Sequence, residues 1–348
     1  MRRLSTVAAT AVVALLFTAG PVFACGGLIG PNGAVNLLRT TTLAAYHDGV
    51  EHYVTAFQFA GGGGQFGSIV PLPGIPTKVE RGGDWTLQRL IRETDPVPQA
   101  GVRLEAAAAP SAQVILQIRI DALDITVLKG GGNEVGTWAK DHGFRLPPDA
   151  PEVLDFYANR SPIFLAAVFD ADAARARGQS IGDGTPVHIT IPTANPWVPL
   201  RILALGKTGS ERVDADVYLL NDRQPTLLPD PNANGLSLQV SELASASLLK
   251  DLRSDKGMGW IPQNAWLSKI RIDAAASDLR FDLAIDASGR GQPSLRDAGL
   301  APFGPMQPPA SWIGWVLLLA AVGLGIPVLG GAYLARMATR RMPPGAGA

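Results

Sequence analysis

The sequence predicts an α+β protein: a β-rich extracytoplasmic domain of sandwich-like sheets with a few helices, followed by one C-terminal transmembrane helix. Three observations predict this. Short alternating or β-branched apolar segments bounded by turn residues outnumber the stretches with helical spacing. The strand-rich order with interspersed helices favours α+β over an alternating βαβ chain. Finally, an apolar run follows two N-terminal arginines, and a second, longer one precedes three C-terminal arginines.

Residues 1–24 read as a secretory signal. Arg2 and Arg3 precede an apolar run from Val7 to Phe17, Gly20 and Pro21 break it, and Val22-Phe23-Ala24 offers a cleavage site. The run is too short to cross a hydrocarbon core of ~30 Å as a helix. Cleavage after Ala24 makes Cys25 the first mature residue. The alternative is that Val22-Phe23-Ala24-Cys25 is a degenerate lipobox and Cys25 is lipidated; the bulky Phe23 argues for ordinary cleavage.

The domain itself is expected over residues 25–285. Thr40–Tyr46 and His52–Phe59 flank an Asp48-Gly49 turn, a hairpin signal. Val114–Ile120 and Ile125–Leu128 form a second pair, with Ile115, Gln117 and Arg119 alternating against Leu116, Ile118 and Ile120. Further strands are expected at Ile163–Phe169, Val187–Ile191, Leu200–Leu205, Val213–Leu220, Trp266–Ile272 and Leu279–Ile285. Helices are expected at Trp85–Glu93, capped by Asp84, at Pro151–Ala158, and from Ser241, as cap, to about Arg253; Glu134–His142 is a further one, weakened by Gly136. The prolines of Val70-Pro71-Leu72-Pro73-Gly74-Ile75-Pro76 deny ladder donors, which suits a sheet edge or a crossing between sheets. Pro196-Trp197-Val198-Pro199 reads similarly, with Trp197 filling a core gap.

Residues 286–310 are rich in Gly and Pro and read as a stalk. Residues 312–335 then run 24 positions without a charge, about 36 Å of helix at ~1.5 Å per residue. Trp312 and Trp315 mark one interface and Tyr333 the other. Arg336, Arg340 and Arg341 follow, so the positive-inside rule puts the tail, 336–348, in the cytoplasm and the preceding domain outside. The expected localisation is the bacterial plasma membrane, single-pass and type I.

Composition excludes several classes. The 30 basic and 30 acidic residues cancel, but five of the basic ones are the terminal arginines named above; Cys25–Ala310 carries 25 basic against 30 acidic, a net of −5. Nucleic acid is therefore not an expected partner. The single cysteine excludes a disulfide scaffold and a thiolate zinc site. An apolar content of 47% excludes disorder throughout.

Motifs for chemistry are sparse. Gly62-Gly63-Gly64-Gln65-Phe66-Gly67 fits GxGxxG by letter, but the fingerprint needs a helix next and an extended, proline-broken segment follows. Asp230-Pro231-Asn232-Ala233-Asn234-Gly235 resembles the start of a calcium loop, with Asp230, Asn232 and Asn234 as oxygen donors; its twelfth position is Ser241, where a bidentate Glu is expected, and a polar turn is the alternative. No other cofactor is expected. His47 and His52 lie across one hairpin turn within reach of each other, and read as surface residues; no HExxH spacing includes them, His142 or His188. No GxSxG occurs, and no catalytic residue is assigned. Asn159-Arg160-Ser161 is a sequon by letter.

Cys25-Gly26-Gly27 after the signal, Tyr53-Val54-Thr55 in the hairpin, and Ser68-Ile69-Val70-Pro71-Leu72-Pro73-Gly74 resemble a bacterial family known as domain of unknown function 2330. Trp197-Val198-Pro199-Leu200-Arg201-Ile202 and Leu267-Ser268-Lys269-Ile270-Arg271 are similar to its later motifs. Some relatives carry a second cysteine shortly after the first; here Cys25 stands alone. The resemblance implies a secreted or envelope-anchored protein and carries over no catalytic residue. The expected function is binding of an envelope component or partner protein by a membrane-anchored ectodomain, with a carboxylate-based cell-surface hydrolase as the alternative.

Overall fold

Asp48 and Gly49 both adopt positive φ, 50° and 79°, the twist that a two-residue hairpin turn needs to match its strands. They join the two strands at the centre of the largest sheet. The structure, a computed structural model, describes residues 27–30, 33–34, 40–58, 65–95, 114–176, 178 and 184–301. Residues 1–301 form one unit and 302–348 a second, which lies outside the described residues.

The first half of the chain runs β1 (Gly27–Gly30), β2 (Gly33–Ala34), β3 (Thr40–His47), β4 (Val50–Gln58), β5 (Gln65–Pro71), β6 (Lys78–Arg81) and α1 (Thr86–Thr94). Next come β7 (Val114–Ile120), β8 (Leu123–Lys129), α2 (Gly132–Asp141), α3 (Ala150–Ala158) and β9 (Ile163–Asp170). Then follow α4 (Ala171–Ala176), β10 (Gly184–Pro192), β11 (Trp197–Val198) and β12 (Arg212–Asn221). The chain continues with β13 (Thr226–Leu228), β14 (Leu236–Leu243), α5 (Ala246–Ser254), β15 (Trp266–Ala275) and β16 (Leu283–Asp286).

The strands form three sheets, ordered β2-β1-β5-β9-β8-β7, β14-β15-β12-β3-β4-β10-β6 and β11-β16-β13. Among the described residues, every pairing is antiparallel except that of β12 with β3. One apolar cluster is shared by the two large sheets: Tyr53, Ile189, Val217 and Ile270 of the seven-stranded sheet meet Val70, Ile125 and Leu165 of the six-stranded one. The outer face of the six-stranded sheet packs Ile69, Phe164 and Ala166 against Trp138, Leu154 and Tyr157 of α2 and α3. The outer face of the seven-stranded sheet packs Leu43, Val54 and Leu220 against Leu90 of α1 and Leu249 of α5. The result is an α+β, β-rich fold of two sheets between helical layers. Burying both faces of each sheet explains why several strands read as near-continuous apolar runs rather than clean alternations.

Most expected strands are present, including both hairpins. The proline-rich segment after β5 crosses between the two large sheets, ending in edge strand β6. Three expected elements are corrected. Leu200–Leu205 is not a strand: Arg201–Ala204 is a 3₁₀ turn, because the amides of Leu200 and Arg201 donate to a side chain, Asp282, instead of to a ladder. Leu279–Ile285 is strand only from Leu283, after a 3₁₀ turn at Ala276–Asp278. The helix expected from Ser241 starts later: Leu236–Leu243 pairs with β15, and Ser245 caps α5 by accepting from the amide of Leu248 at 3.1 Å.

Helix α1 is capped from a distance. Asp84, expected as its cap, bonds Arg81 instead, while the Asp255 carboxylate accepts from the amides of Asp84 and Trp85 and from the Thr86 hydroxyl. An acid at a helix N-terminus satisfies orphan donors and complements the dipole. Here it also ties α1 to the segment following α5.

Residues 286–301 pack on the domain, so their Gly-rich composition marks turns here and not a free stalk. Ala298 is fully buried, its carbonyl accepts from Asp282 N at 2.9 Å, and Gly299 lies against the Phe156 ring. The signal segment 1–24, Cys25, the remainder of the expected stalk and the span 312–335 lie outside the described residues. Among the described residues, no helix is long and apolar enough to cross a membrane.

Gly299 provides a test of this docking. It has φ +68°, and a Cβ there would come within 2.2 Å of Phe156 Cζ; Gly143 has φ +76° but open space around it. Gly143→Ala is expected to cost about 1 kcal/mol from backbone strain alone. Gly299→Ala is expected to cost about 3 kcal/mol, since the ring must move as well. Urea unfolding of the two variants measures the difference.

Candidate functional site

Register on the seven-stranded sheet brings most of the chain's histidines to one face. Ala45 lies opposite His52, Val54 opposite His188, and His188 opposite Glu80. With side chains alternating along each strand, His47, His52, His188 and Glu80 share the outer face. His52 Nδ1 and His188 Nε2 are 2.9 Å apart. The Trp260 indole stacks on His52, with centroids 3.9 Å apart and planes within 6°. Glu80 lies 3.4 Å from His188 Nδ1 and pairs with Lys78 at 2.8 Å.

Burial lowers the pKa of both rings to about 4. The positive potential of His188 and His47 adds to the effect at His52, while Glu80 opposes it at His188. Both are neutral at pH 7 and share one hydrogen bond. Which ring donates in that bond follows the tautomer, with the Glu80 carboxylate the nearest acid to His188 Nδ1.

At the end of this face the parallel pairing of β3 with β12 sets Tyr46 beside Asn221, and the next residues, His47 and Asp222, meet. His47 Nδ1 is 2.6 Å from Asp222 Oδ1, and its Nε2 is 3.2 Å from Asp48 Oδ2. One donor atom from each of the three lies within 4.8 Å of the others.

On the inner face of the same strands Glu51 is fully buried and pairs across with Tyr46. Burial raises its pKa to about 8; the nearby Trp197 amide pulls the other way without closing a hydrogen bond of normal geometry. The Tyr46 hydroxyl donates to Thr193 O at 2.9 Å, and burial together with the Glu51 charge raises its pKa. The second raised carboxyl, Asp124 at about 6, also owes its shift to burial, opposed by Arg119. It lies in the other sheet, opposite Val168 on the face turned to α2 and α3. The two carboxyls therefore face different layers.

Asp282 is a fully buried and highly connected carboxylate. Its Oδ1 accepts from the Tyr157 hydroxyl at 2.8 Å, Leu200 N at 2.7 Å and Arg201 N at 3.0 Å, and its Oδ2 takes the Arg160 guanidinium. Tyr157 Oη in turn accepts from Ile202 N at 2.9 Å. Arg160 also lies over the rings of Phe156, Tyr157 and Trp197, 4.4, 5.1 and 4.6 Å from their centroids. Trp197 is buried there, as its motif suggested.

The loop at Asp230, Asn232 and Asn234 is built on internal hydrogen bonds. Asp230 Oδ1 accepts from Asn232 N at 2.9 Å, Asn232 Oδ1 accepts from Leu238 N at 3.1 Å, and Asn234 and Gly235 take positive φ. Gln65-Phe66-Gly67 of the glycine-rich match begin β5, with no helix following. His142 stacks on Trp138 at the end of α2. The Asn159 amide donates to Asp155 O at 2.8 Å. The sequence paired His47 with His52 across the turn but not with His188, Glu80, Trp260 or Asp222. Strand alternation would have put His188 on a defined face; the pairing partners come from residues distant in the chain.

These features define a class: a helix-flanked, two-sheet β sandwich whose buried charges hold the scaffold together, with a face of histidines and acids. The chain belongs to the bacterial family domain of unknown function 2330, described as an uncharacterized protein conserved in bacteria, whose profile matches residues 21–236. That match ends before the Leu267–Arg271 segment. No curated protein matches the sequence. Similar solved chains include one from the caspase-8/P35 complex, 8% identical, covering 71% of this chain and 95% of that one with TM-score 0.40. Another is baculovirus P35, 9% identical, covering 71% and 96% with TM-score 0.38. Likeness at this level assigns no function.

Asp282→Asn strands a buried guanidinium and is expected to destabilise by about 3–5 kcal/mol in chemical unfolding. Glu51 has its folded pKa raised from 4.5 to about 8, so its proton stabilises fully below pH 4.5 and that contribution is lost as pH rises through 8. Glu51→Gln should therefore raise the unfolding free energy by a few kcal/mol at pH 8 and leave it nearly unchanged at pH 4. The histidine pair acts in the opposite sense. With folded pKa values near 4 against 6.5, its contribution is full above pH 6.5 and lost as pH falls toward 4. A His52→Gln, His188→Gln double variant should flatten that acid limb of the stability curve.

Proposed function

We propose that the chain is a single-span protein of the bacterial cell envelope whose extracytoplasmic domain binds an envelope component or partner protein. The observation that carries this reading is the bracketing of one folded domain by two arginine-flanked apolar segments, the first of signal length and the second of spanning length. The net charge of −5 between them fits a partner that is not an anionic polymer.

The ionic groups support binding over hydrolysis. A carboxylate-based glycosidase needs two carboxyl groups roughly 5–10 Å apart across one substrate. Here the carboxyls raised by burial, Glu51 and Asp124, face different layers, and Asp282 is consumed by Arg160 and backbone amides.

Two measurements test the reading. A reporter active only in the cytoplasm, fused after Ala348, is expected to be active; activity only of a periplasm-dependent reporter overturns the orientation. Affinity purification of the full chain from native membranes in mild detergent is expected to retain a specific envelope component, and recovery of the chain alone overturns the binding role.

A further inference from the structure

We propose that His47, Asp48 and Asp222 form a binding site for a divalent transition-metal ion of the zinc class, at the solvent-facing end of the histidine-bearing face. This goes beyond the binding-module reading and stands or falls independently of any partner.

The donor set is the first argument. One imidazole nitrogen and two carboxylate oxygens are ligand types that zinc accepts at about 2.0–2.2 Å. Three such donors on a tetrahedral ion stand ~3.3 Å apart. The three here lie within 4.8 Å of one another; Asp222 sits at Nδ1 of His47 and Asp48 at Nε2, so an ion held on one ring nitrogen requires the other carboxylate to swing round to it. An imidazole among so few oxygens does not suit calcium, which takes six to eight oxygen ligands.

Charge is the second argument. Elsewhere among the described residues, neighbouring acids share a strong base: Asp84 and Asp121 share Arg81, Glu93 and Asp251 share Arg89, and Asp214 and Asp216 share Arg271. Asp48 and Asp222 instead converge on a single imidazole, their one ion-pair partner among the described residues. One imidazole carries at most one positive charge, so two carboxylates beside it leave an excess of negative charge that a divalent cation offsets.

Access and support complete the case. The side chains of His47, Asp222 and Asp48 are 37%, 46% and 85% exposed, so an ion enters without any opening of the fold and water fills its remaining positions. His47 ends strand β3, and Asp222 directly follows β12, whose last pairing is Asn221 with Tyr46. His52 stands on the same face, one strand pair further in, with its Nδ1 engaged by His188.

Asp48 allows a clean test, because Asn tolerates positive φ as Asp does and so removes the charge while keeping the turn. Zinc ions titrated into the full chain in mild detergent at pH 7.5, followed by calorimetry, are expected to bind one per chain. His47→Ala, Asp48→Asn and Asp222→Asn should each weaken binding at least tenfold, and His142→Ala should leave it unchanged. Zinc should raise the melting temperature of the parent chain and not that of His47→Ala, a readout that also confirms the variant is folded. Absence of saturable binding overturns the proposal, as does unchanged affinity in the three site variants or an equal loss in His142→Ala.

Discussion

A carboxylate taken wholly out of water must be neutralised where it lies, and much of this fold is organised around meeting that requirement at Asp282. Its four partners come from α3 and the residues just after it and from the turn that follows β11, and Asp282 itself directly precedes β16 of the small third sheet. The terminal segment joins through Ala298 and through Asp297, whose carbonyl accepts from Arg160 at 2.5 Å. Such a pair adds little net stability over an apolar replacement, since desolvation offsets the attraction. What it supplies is position. Each partner left without it would be a buried, unsatisfied polar group, so the Trp197–Ile202 stretch has a single place to lie.

The same separation of roles runs through the other charges. Asp255 joins α1 to the end of α5, and Arg89 spans the same two helices through Asp251 at 2.9 Å. These contacts fix the helical layer over the outer face of the seven-stranded sheet, where Trp260 covers His52 and His188. The histidine face is thus partly roofed, and its end at the Asp48-Gly49 turn opens to solvent. Burial accounts for the low basicity of the covered rings, and exposure for the accessibility of His47.

What could be read from the sequence follows a physical division. Local signals were legible: the Asp48-Gly49 turn, the alternation over Val114–Ile120, and the strands from Ile163, Val213 and Trp266 all have their cause within a few residues. Failures occurred where a distant group captured the backbone. Leu200 and Arg201 look like strand until Asp282 takes their amides. Ser241 looks like a helix cap as good as Ser245, but its hydroxyl accepts from Trp266 Nε1 at 3.0 Å once its strand has paired with β15. The Gly-rich stretch after Asp286 resembles a tether by composition, because burial of Ala298 depends on partners more than a hundred residues away. The histidine face was half legible for the same reason: the hairpin is local, whereas Glu80, His188 and Asp222 arrive by pairing.

The one parallel pairing has a consequence for how the chain comes together. β3 sits at the middle of the seven-stranded sheet with β4 on one side and β12 on the other, and Thr40 meets Ala215. The hairpin of β3 and β4 can close as soon as it is made, but its other edge has no neighbour until the chain has been synthesised past Asn221. For most of the time that the polypeptide is emerging, an apolar strand edge therefore stands open, and closing it means bringing together segments with a long loop between them. Slow maturation and exposure to mispairing during that interval are built into the order of the strands, whatever the stability of the finished fold.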